Sequence, residues 1–245
     1  MKNIRRITNA IIAAGSCAVT HIPNCCMVKI LNLFTLIKIS AKRQAENQTA
    51  NRNILAAAAS EKNGFFTPGH FIENQREWGS VRFGRSTMSY SGCEIIAVYN
   101  ILLDLGNEIS SQNLAEIIGE FERKGAAIRG KWGCAPRSVY QYLVRKGYQA
   151  AMITRSDPDT INAIGESSRS VIITAYNDKN DIRNMIHTVA VTKDTLGNYI
   201  LHNAYKRING RYTAYSGNHP IKRLWDAIGA MSQGQAASIC VIGIR

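Results

Sequence analysis

The chain predicts an α+β fold, with helices in its first half and an antiparallel sheet in its second. Between residues 93 and 147, apolar side chains recur every three or four positions, which is the spacing of an amphipathic helix. From residue 149 onward they alternate with a period of two, which is typical of strands. Glycine or proline marks the end or the start of the helical segments, as expected where the backbone changes direction.

Each of the three predicted helices has an identifiable start or stop. In the first, Ile95 begins an i, i+3, i+4, i+7, i+8 pattern of apolar residues that Gly106 ends. The second follows an N-cap at Ser110 or Ser111, and the third opens at Pro136, a favoured first position. The second and third helices end at Gly125 and Gly147.

Five strands are predicted downstream, and together they indicate one antiparallel sheet on which the helical lobe packs. They cover residues 149–154, 170–174, 187–192, 198–202 and 237–244. Two short helices are placed among them. One starts after Asp157-Pro158, and the other lies near Arg223 to Met231.

The basic excess of the chain is concentrated near its N-terminus. The net charge is +13, and residues 1–60 contribute +7 of it from eight Lys or Arg and one acid. We interpret residues 1–63 as a basic arm (signal, anchor or pro-segment, or an extension packed on the body) that ends in a linker. Residues 64–245 are then the functional domain. The apolar stretch 27–39 is too short and too interrupted by lysine to span a bilayer, but it can form an interfacial helix. This pattern slightly favours export or membrane association in a bacterium over a cytoplasmic location.

Two functional classes receive no support from the sequence. The six cysteines lack the spacing of a zinc site, so we expect Cys134 and Cys240 to be structural free thiols. No recognisable nucleic-acid module is present, and the basic residues are not interleaved with aromatic ones.

Cys93 is the candidate nucleophile, because it follows Gly92 and opens the first predicted helix. A thiol in the first turn of a helix meets unpaired backbone N–H groups and the positive end of the helix dipole, which lower its pKa. Cysteine is also among the most buried residue types, so a purely structural role is the alternative.

A base and an orienting group are predicted in the second half of the chain. If His187 and Asn203 are directly opposed on neighbouring strands, a five-residue loop, Lys193 to Gly197, connects the strands. Directly opposed residues have Cβ atoms about 4.5–5.5 Å apart, so the Asn203 side chain would orient the imidazole. His202 alternates to the opposite face and would be a poor base, while His70 and His219 are expected at the surface.

Three stretches resemble the papain-like cysteine peptidases of the double-glycine-peptidase-like group. They are "ENQREWGSVRFGRSTMSYSGCEIIAVYNILLDLG" (residues 73–106), "GKWGCAPRSVYQYLVRKGY" (130–148) and "HTVAVTKDTLGNYILHNAY" (187–205). The resemblance implies a papain-like fold, with the site in a cleft between the helical lobe and the sheet. It also implies Cys93 as nucleophile, His187 as base, Asn203 as orienter and Gln75 as an oxyanion donor. The chain departs from the pattern at Glu94, where many relatives have glycine, and in the eighteen residues that separate Gln75 from Cys93. If Gln75 does not reach the site, Thr87 or Ser89 is the alternative donor.

The sequence therefore predicts a cysteine peptidase that hydrolyses peptide or isopeptide amides and requires no metal or cofactor. Its expected partner is a peptide or protein substrate, with membrane association through the basic arm. One alternative is an acyltransferase or deamidase of transglutaminase-like chemistry on the same triad. The other is a catalytically silent papain-like binding module, which Glu94 favours.

Overall fold

A five-stranded antiparallel sheet, with helices on both of its faces, positions the rest of the chain. The computed structural model describes residues 22–62, 64–177, 186–208, 211–214, 220–231 and 238–245, with the backbone alone for residues 205–208 and 211–214. The strands of the sheet are β3 (Ala150–Ile153), β4 (Ser170–Tyr176), β5 (Ile186–Lys193), β6 (Tyr199–His202) and β9 (Ser238–Ile244). Their order is β3-β9-β4-β5-β6, and every neighbouring pair is antiparallel. The α+β class is confirmed, and so are the five predicted strands.

The described helices fall into two groups, one on each face of the sheet. The core on one face contains α1 (Asn24–Leu33), α2 (Ala41–Ser60), α4 (Cys93–Asp104), α5 (Ser111–Lys124) and α6 (Pro136–Arg145), of which α2 and α5 pack on each other. Against the other pack α7 (Pro158–Glu166) and α8 (Leu224–Met231). The short helix α3 (Met88–Ser91) precedes α4, and the two-stranded ladders are β1 (Arg82–Phe83) with β2 (Ser86–Thr87) and β7 (Tyr205–Ile208) with β8 (Arg211–Ala214). All the helices predicted in the body are therefore present.

The central helix is α4, because every residue from Cys93 to Leu102 is buried. It packs directly on β5 and β4. A helix that is apolar on all sides belongs in the middle of a core, since no face of it is left for water. Packing α4 on β5 brings its N-terminus to the start of that strand.

The described part of the N-terminal arm belongs to this core, which corrects the expectation of a linker. Helix α2 occupies the stretch predicted as a polar linker, and its Leu55 is fully buried. Asn47 Nδ2 donates to Gly84 O at 2.9 Å, and Asn51 exchanges two bonds of 2.8 Å with the backbone of Arg82. Buried amides bonded to backbone in this way fix α2 in place. Residues 22–62 thus match the alternative of an extension packed on the body.

Within the part of the chain that the structure describes, no single helix is long and apolar enough to cross a bilayer. The segments Asn24–Leu36 and Ala41–Ser60 pass such a test only when taken together, and they meet at a bend of 99°.

Replacing Leu55 with alanine tests whether α2 is part of the core. Because the side chain is fully buried, we expect Leu55→Ala to lower the free energy of unfolding by about 2–5 kcal/mol. Asn53→Ala, on an exposed position of the same helix, should change it by about 0.5 kcal/mol or less. Urea denaturation of the full chain measures both. Equal stability of the two variants would return α2 to the status of a separable arm.

Candidate active site

Gly92 allows the chain to pass directly from α3 into α4, with Cys93 at the first helical position. A Cβ at residue 92 would lie 2.7 Å from the carbonyl oxygen of Met88 and closer still to its sulfur, so a larger residue does not fit there. The Gly92 carbonyl accepts the N–H of Ile96, which begins the hydrogen bonding of the helix. This tight entry places the Cys93 thiol at the end of α4 that faces β5.

The Cys93 thiol is hydrogen-bonded to the neighbouring carboxylate, because Sγ donates to Glu94 Oε2 at 3.3 Å. Burial raises the pKa of the thiol and the negative charge of Glu94 raises it further, whereas the nearby backbone N–H groups of Thr188 and Glu94 lower it. The pKa of Cys93 is therefore well above its usual value. The expectation that the helix N-terminus favours the thiolate is wrong for this arrangement, because desolvation and Glu94 outweigh it.

Glu94 is buried, and it lines a cavity together with Cys93. The backbone of Cys134 and the side chain of Thr188 lie near its carboxylate and act to lower its pKa. A Cβ at Gly133, which has a φ of +70°, would lie 2.8 Å from Oε2, so this glycine makes room for the carboxylate. Burial raises the pKa of Glu94 to about 7, because desolvation exceeds the effect of these groups.

The raised pKa of Glu94 predicts how stability depends on pH. Above pH 4.5 the unfolded chain loses the Glu94 proton, whereas the folded protein keeps it until about pH 7. The folded state thus binds more protons in this window, and stability falls as pH rises through it. The urea midpoint of Glu94→Gln, relative to wild type, should therefore increase between pH 5 and pH 8. An unchanged difference over this range would show that the Glu94 pKa is not raised.

The register of the β5–β6 hairpin differs by two residues from the expected one. Ala190 pairs with His202 and Lys193 with Tyr199, so the loop is 194–198 and His187 does not oppose Asn203. The imidazole nevertheless meets Asn203, because Nε2 lies 2.7 Å from the Asn203 carbonyl oxygen. A carbonyl only accepts, so Nε2 carries the proton and Nδ1 is the proton acceptor of the ring. The backbone carbonyl of Asn203 thus orients the imidazole, and the orienting role of its side chain stays a prediction.

The side chains of Asn203 and Gln75 bind each other, so the structure brings these two predicted site residues together. Oδ1 accepts the Gln75 backbone N–H at 3.0 Å, and Nδ2 donates to Gln75 Oε1 at 3.0 Å. Gln75 Nε2 donates to Ser89 O at 3.2 Å. These bonds connect the turn at Asn203 to α3, and the role of Gln75 as oxyanion donor stays a prediction. Asn203 has a φ of +60°, a conformation that asparagine tolerates better than most residues.

The side chains of β5 alternate between the two cores. Val189 packs with α7 and α8, whereas Ala190 packs on the side of α4. His187 has the parity of Val189, and Thr188 has that of Ala190. The thiol thus lies next to β5 on one face of the sheet, while the alternation of the strand assigns the His187 side chain to the other face. Contact between Cys93 and His187 remains a prediction.

A cavity of about 330 Å³ adjoins Cys93 and Glu94. Its remaining wall is mostly apolar and includes Phe34, Trp132 and Ile186. Trp132 therefore faces this space, whereas Trp78 is a core residue. An apolar enclosure with a few polar groups at one end is the usual form of a small-ligand or side-chain pocket.

The structure also shows the contacts or the exposure of most of the other residues singled out from the sequence. Thr87 and Ser89 lie with their hydroxyls 3.1 Å apart. His202 is buried between Glu73 Oε1 at 2.6 Å and Thr192 Oγ1 at 2.9 Å, and it stacks on Phe71. His70 is exposed as expected. Cys134 and Cys240 are free and buried, but Cys134 also lines the cavity beside Glu94. His219 falls outside the described residues.

Two residues of the site were not identified from the sequence. Thr188 lies close enough to Cys93 and Glu94 to lower the pKa of each, and Gly133 provides space for the Glu94 carboxylate. The position of Gly133 next to Cys134 is the one sequence signal for this pocket. Comparisons of the chain with known protein families, characterised proteins and solved structures find no match.

Proposed function

We propose that the protein is a papain-like cysteine peptidase that hydrolyses a peptide or isopeptide amide, with Cys93 as nucleophile and His187 as base. One observation carries the proposal. Helix α4, which begins at Cys93, packs on β5, which carries His187, and Cys93 lines one cavity with Ile186, the residue before His187. The predicted nucleophile and the strand segment of the predicted base are therefore neighbours, which a Cys–His pair requires.

The protonation states support His187 as the base. Burial lowers the pKa of His187, so the imidazole is neutral at pH 7, and its Nδ1 is the acceptor. The Cys93 thiol is protonated in the resting protein because its pKa is raised. The thiol proton therefore has to leave as the sulfur attacks, and a neutral imidazole can accept it.

The ladder with β6 covers only residues 190–193 of β5, so His187 lies beyond its end. The proposal requires the imidazole to turn around this edge of the sheet toward the thiol when substrate binds. Catalytic hydrogen bonds commonly shorten only in the complex with substrate.

The reaction follows in two steps. Sγ bonds to the carbonyl carbon as its proton passes to His187, and backbone N–H groups at the start of α4 stabilise the oxyanion. His187 then gives this proton to the leaving amine as the C–N bond breaks. In the second step, water attacks the thioester, which releases the acid and restores the thiol.

A second candidate, a catalytically silent binding module, is favoured by the hydrogen bond from Cys93 to Glu94. A buried thiol that donates to a neighbouring carboxylate is stabilised in its unreactive form. The cavity would then bind an apolar ligand without chemistry.

Peptide cleavage distinguishes the two candidates. The full chain is incubated with a pool of peptides of defined sequence, and the products are identified by mass. We expect Cys93→Ala to lower cleavage by at least about a thousandfold, because the nucleophile is lost. Cys240→Ala, which removes a buried thiol on β9, should leave cleavage within about tenfold of wild type. Cleavage that persists in Cys93→Ala, or the absence of any cleavage by wild type, would favour the silent module.

A further inference from the structure

Four large apolar side chains are exposed side by side at one end of the molecule. Leu33, Leu36 and Ile37 are 61%, 72% and 43% exposed, and they lie at the end of α1 and in the turn that follows it. Trp132 is 54% exposed and reaches the same place, because its ring lies edge-on to Phe34 with centroids 5.5 Å apart. We call Leu33, Leu36, Ile37 and Trp132 the apolar rim. Exposing these side chains to water is unfavourable unless another surface covers them.

The apolar rim is surrounded by positive charge. Arg129 N donates to Ile37 O at 3.1 Å, and Lys38 Nζ donates to Arg123 O at 3.1 Å, so segments 22–45 and 123–133 lie together. These two segments contain no Asp or Glu. Their cations are Lys29, Lys38, Lys42, Arg43, Arg123, Lys124, Arg129 and Lys131.

The neighbouring acids, which include the exposed Glu46 of α2, neutralise this face only in part. Glu120 pairs with Lys124, and also with Arg145 and Lys146 on the far side of α5. Glu122 is buried and accepts a hydrogen bond from Asn47. The face therefore keeps a positive excess around an apolar centre.

We propose that the apolar rim and its surrounding cations bind the surface of an anionic lipid bilayer. Leucine and tryptophan side chains enter the headgroup region, while lysine and arginine attract anionic lipids. The apolar face of α1, with Met27, Val28 and Leu31, is already buried against the body. The inserted part is thus the turn and Trp132, and not a helix that lies flat across residues 27–39.

The membrane face adjoins the cavity beside Cys93. Phe34, Lys131 and Trp132 line this cavity and also belong to the face or touch it. A ligand held at the bilayer surface would therefore meet this side of the cavity. Membrane binding does not depend on Cys93 being a nucleophile, so the two proposals can fail separately.

Sedimentation of the full chain with vesicles tests the proposal. We expect binding to equimolar phosphatidylcholine–phosphatidylglycerol vesicles, weaker binding to phosphatidylcholine alone, and a decrease with added salt. The double variant Leu33→Ser/Leu36→Ser should bind at least about tenfold more weakly, because two inserted side chains are lost. Leu196→Ser is the matched control, since Leu196 is 84% exposed in the β5–β6 loop, away from the rim, and it should bind like wild type.

Fluorescence identifies the surface that enters the lipid. Brominated lipid in the same vesicles should quench tryptophan emission, and Trp132→Phe should remove most of this quenching, because Trp78 is buried in the core and Trp225 lies in α8 on the other face of the sheet. The proposal is overturned if wild type does not bind. It is also overturned if the double variant binds as tightly as wild type, or if quenching is unchanged in Trp132→Phe, since another segment would then make the contact.

Discussion

The packing of α4 against β5 is the contact on which the candidate site depends. It buries a continuous stretch, Cys93 to Leu102, and brings the first turn of the helix next to β5, the strand of His187 and Thr188. The same burial removes water from Cys93 and Glu94, which is why the pKa of each group is raised. The packing that buries the N-terminus of α4 therefore also determines the protonation of Cys93 and Glu94.

The fold could be predicted where a pattern of apolar residues specifies a face. Helices α4 to α6 and the five strands of the main sheet follow from period and stop signals, but the β5–β6 register does not. A shift of two residues leaves every side chain on its own face, so the hydrophobic pattern cannot distinguish the two pairings. Asp194 decides between them, because its carboxylate accepts the N–H groups of Leu196 and Asn198 and closes the loop at 194–198.

The packing of α2 and the burial of Glu94 could not be predicted for one reason: both place polar groups inside the core. Asn47 and Asn51 of α2 are buried because they bond to the backbone at and next to β1. Since these buried positions are polar, the apolar periodicity of the helix is not visible in the sequence. Glu94 is buried because the backbone of Cys134 and the space at Gly133 receive its carboxylate. Such partners are distant in sequence, so polarity alone suggests a solvated surface.

Alkylation of the thiols tests most directly whether His187 and Glu94 control Cys93. A short pulse of iodoacetamide on the full chain at pH 8, followed by peptide mass mapping, compares Cys93 with Cys240 in one sample. With Cys240 as the internal reference, we predict faster labelling of Cys93 in Glu94→Gln, because a negative charge is removed, and slower labelling in His187→Ala, because the base is lost. Labelling of Cys93 that is unchanged in both variants would contradict a catalytic role for this cysteine.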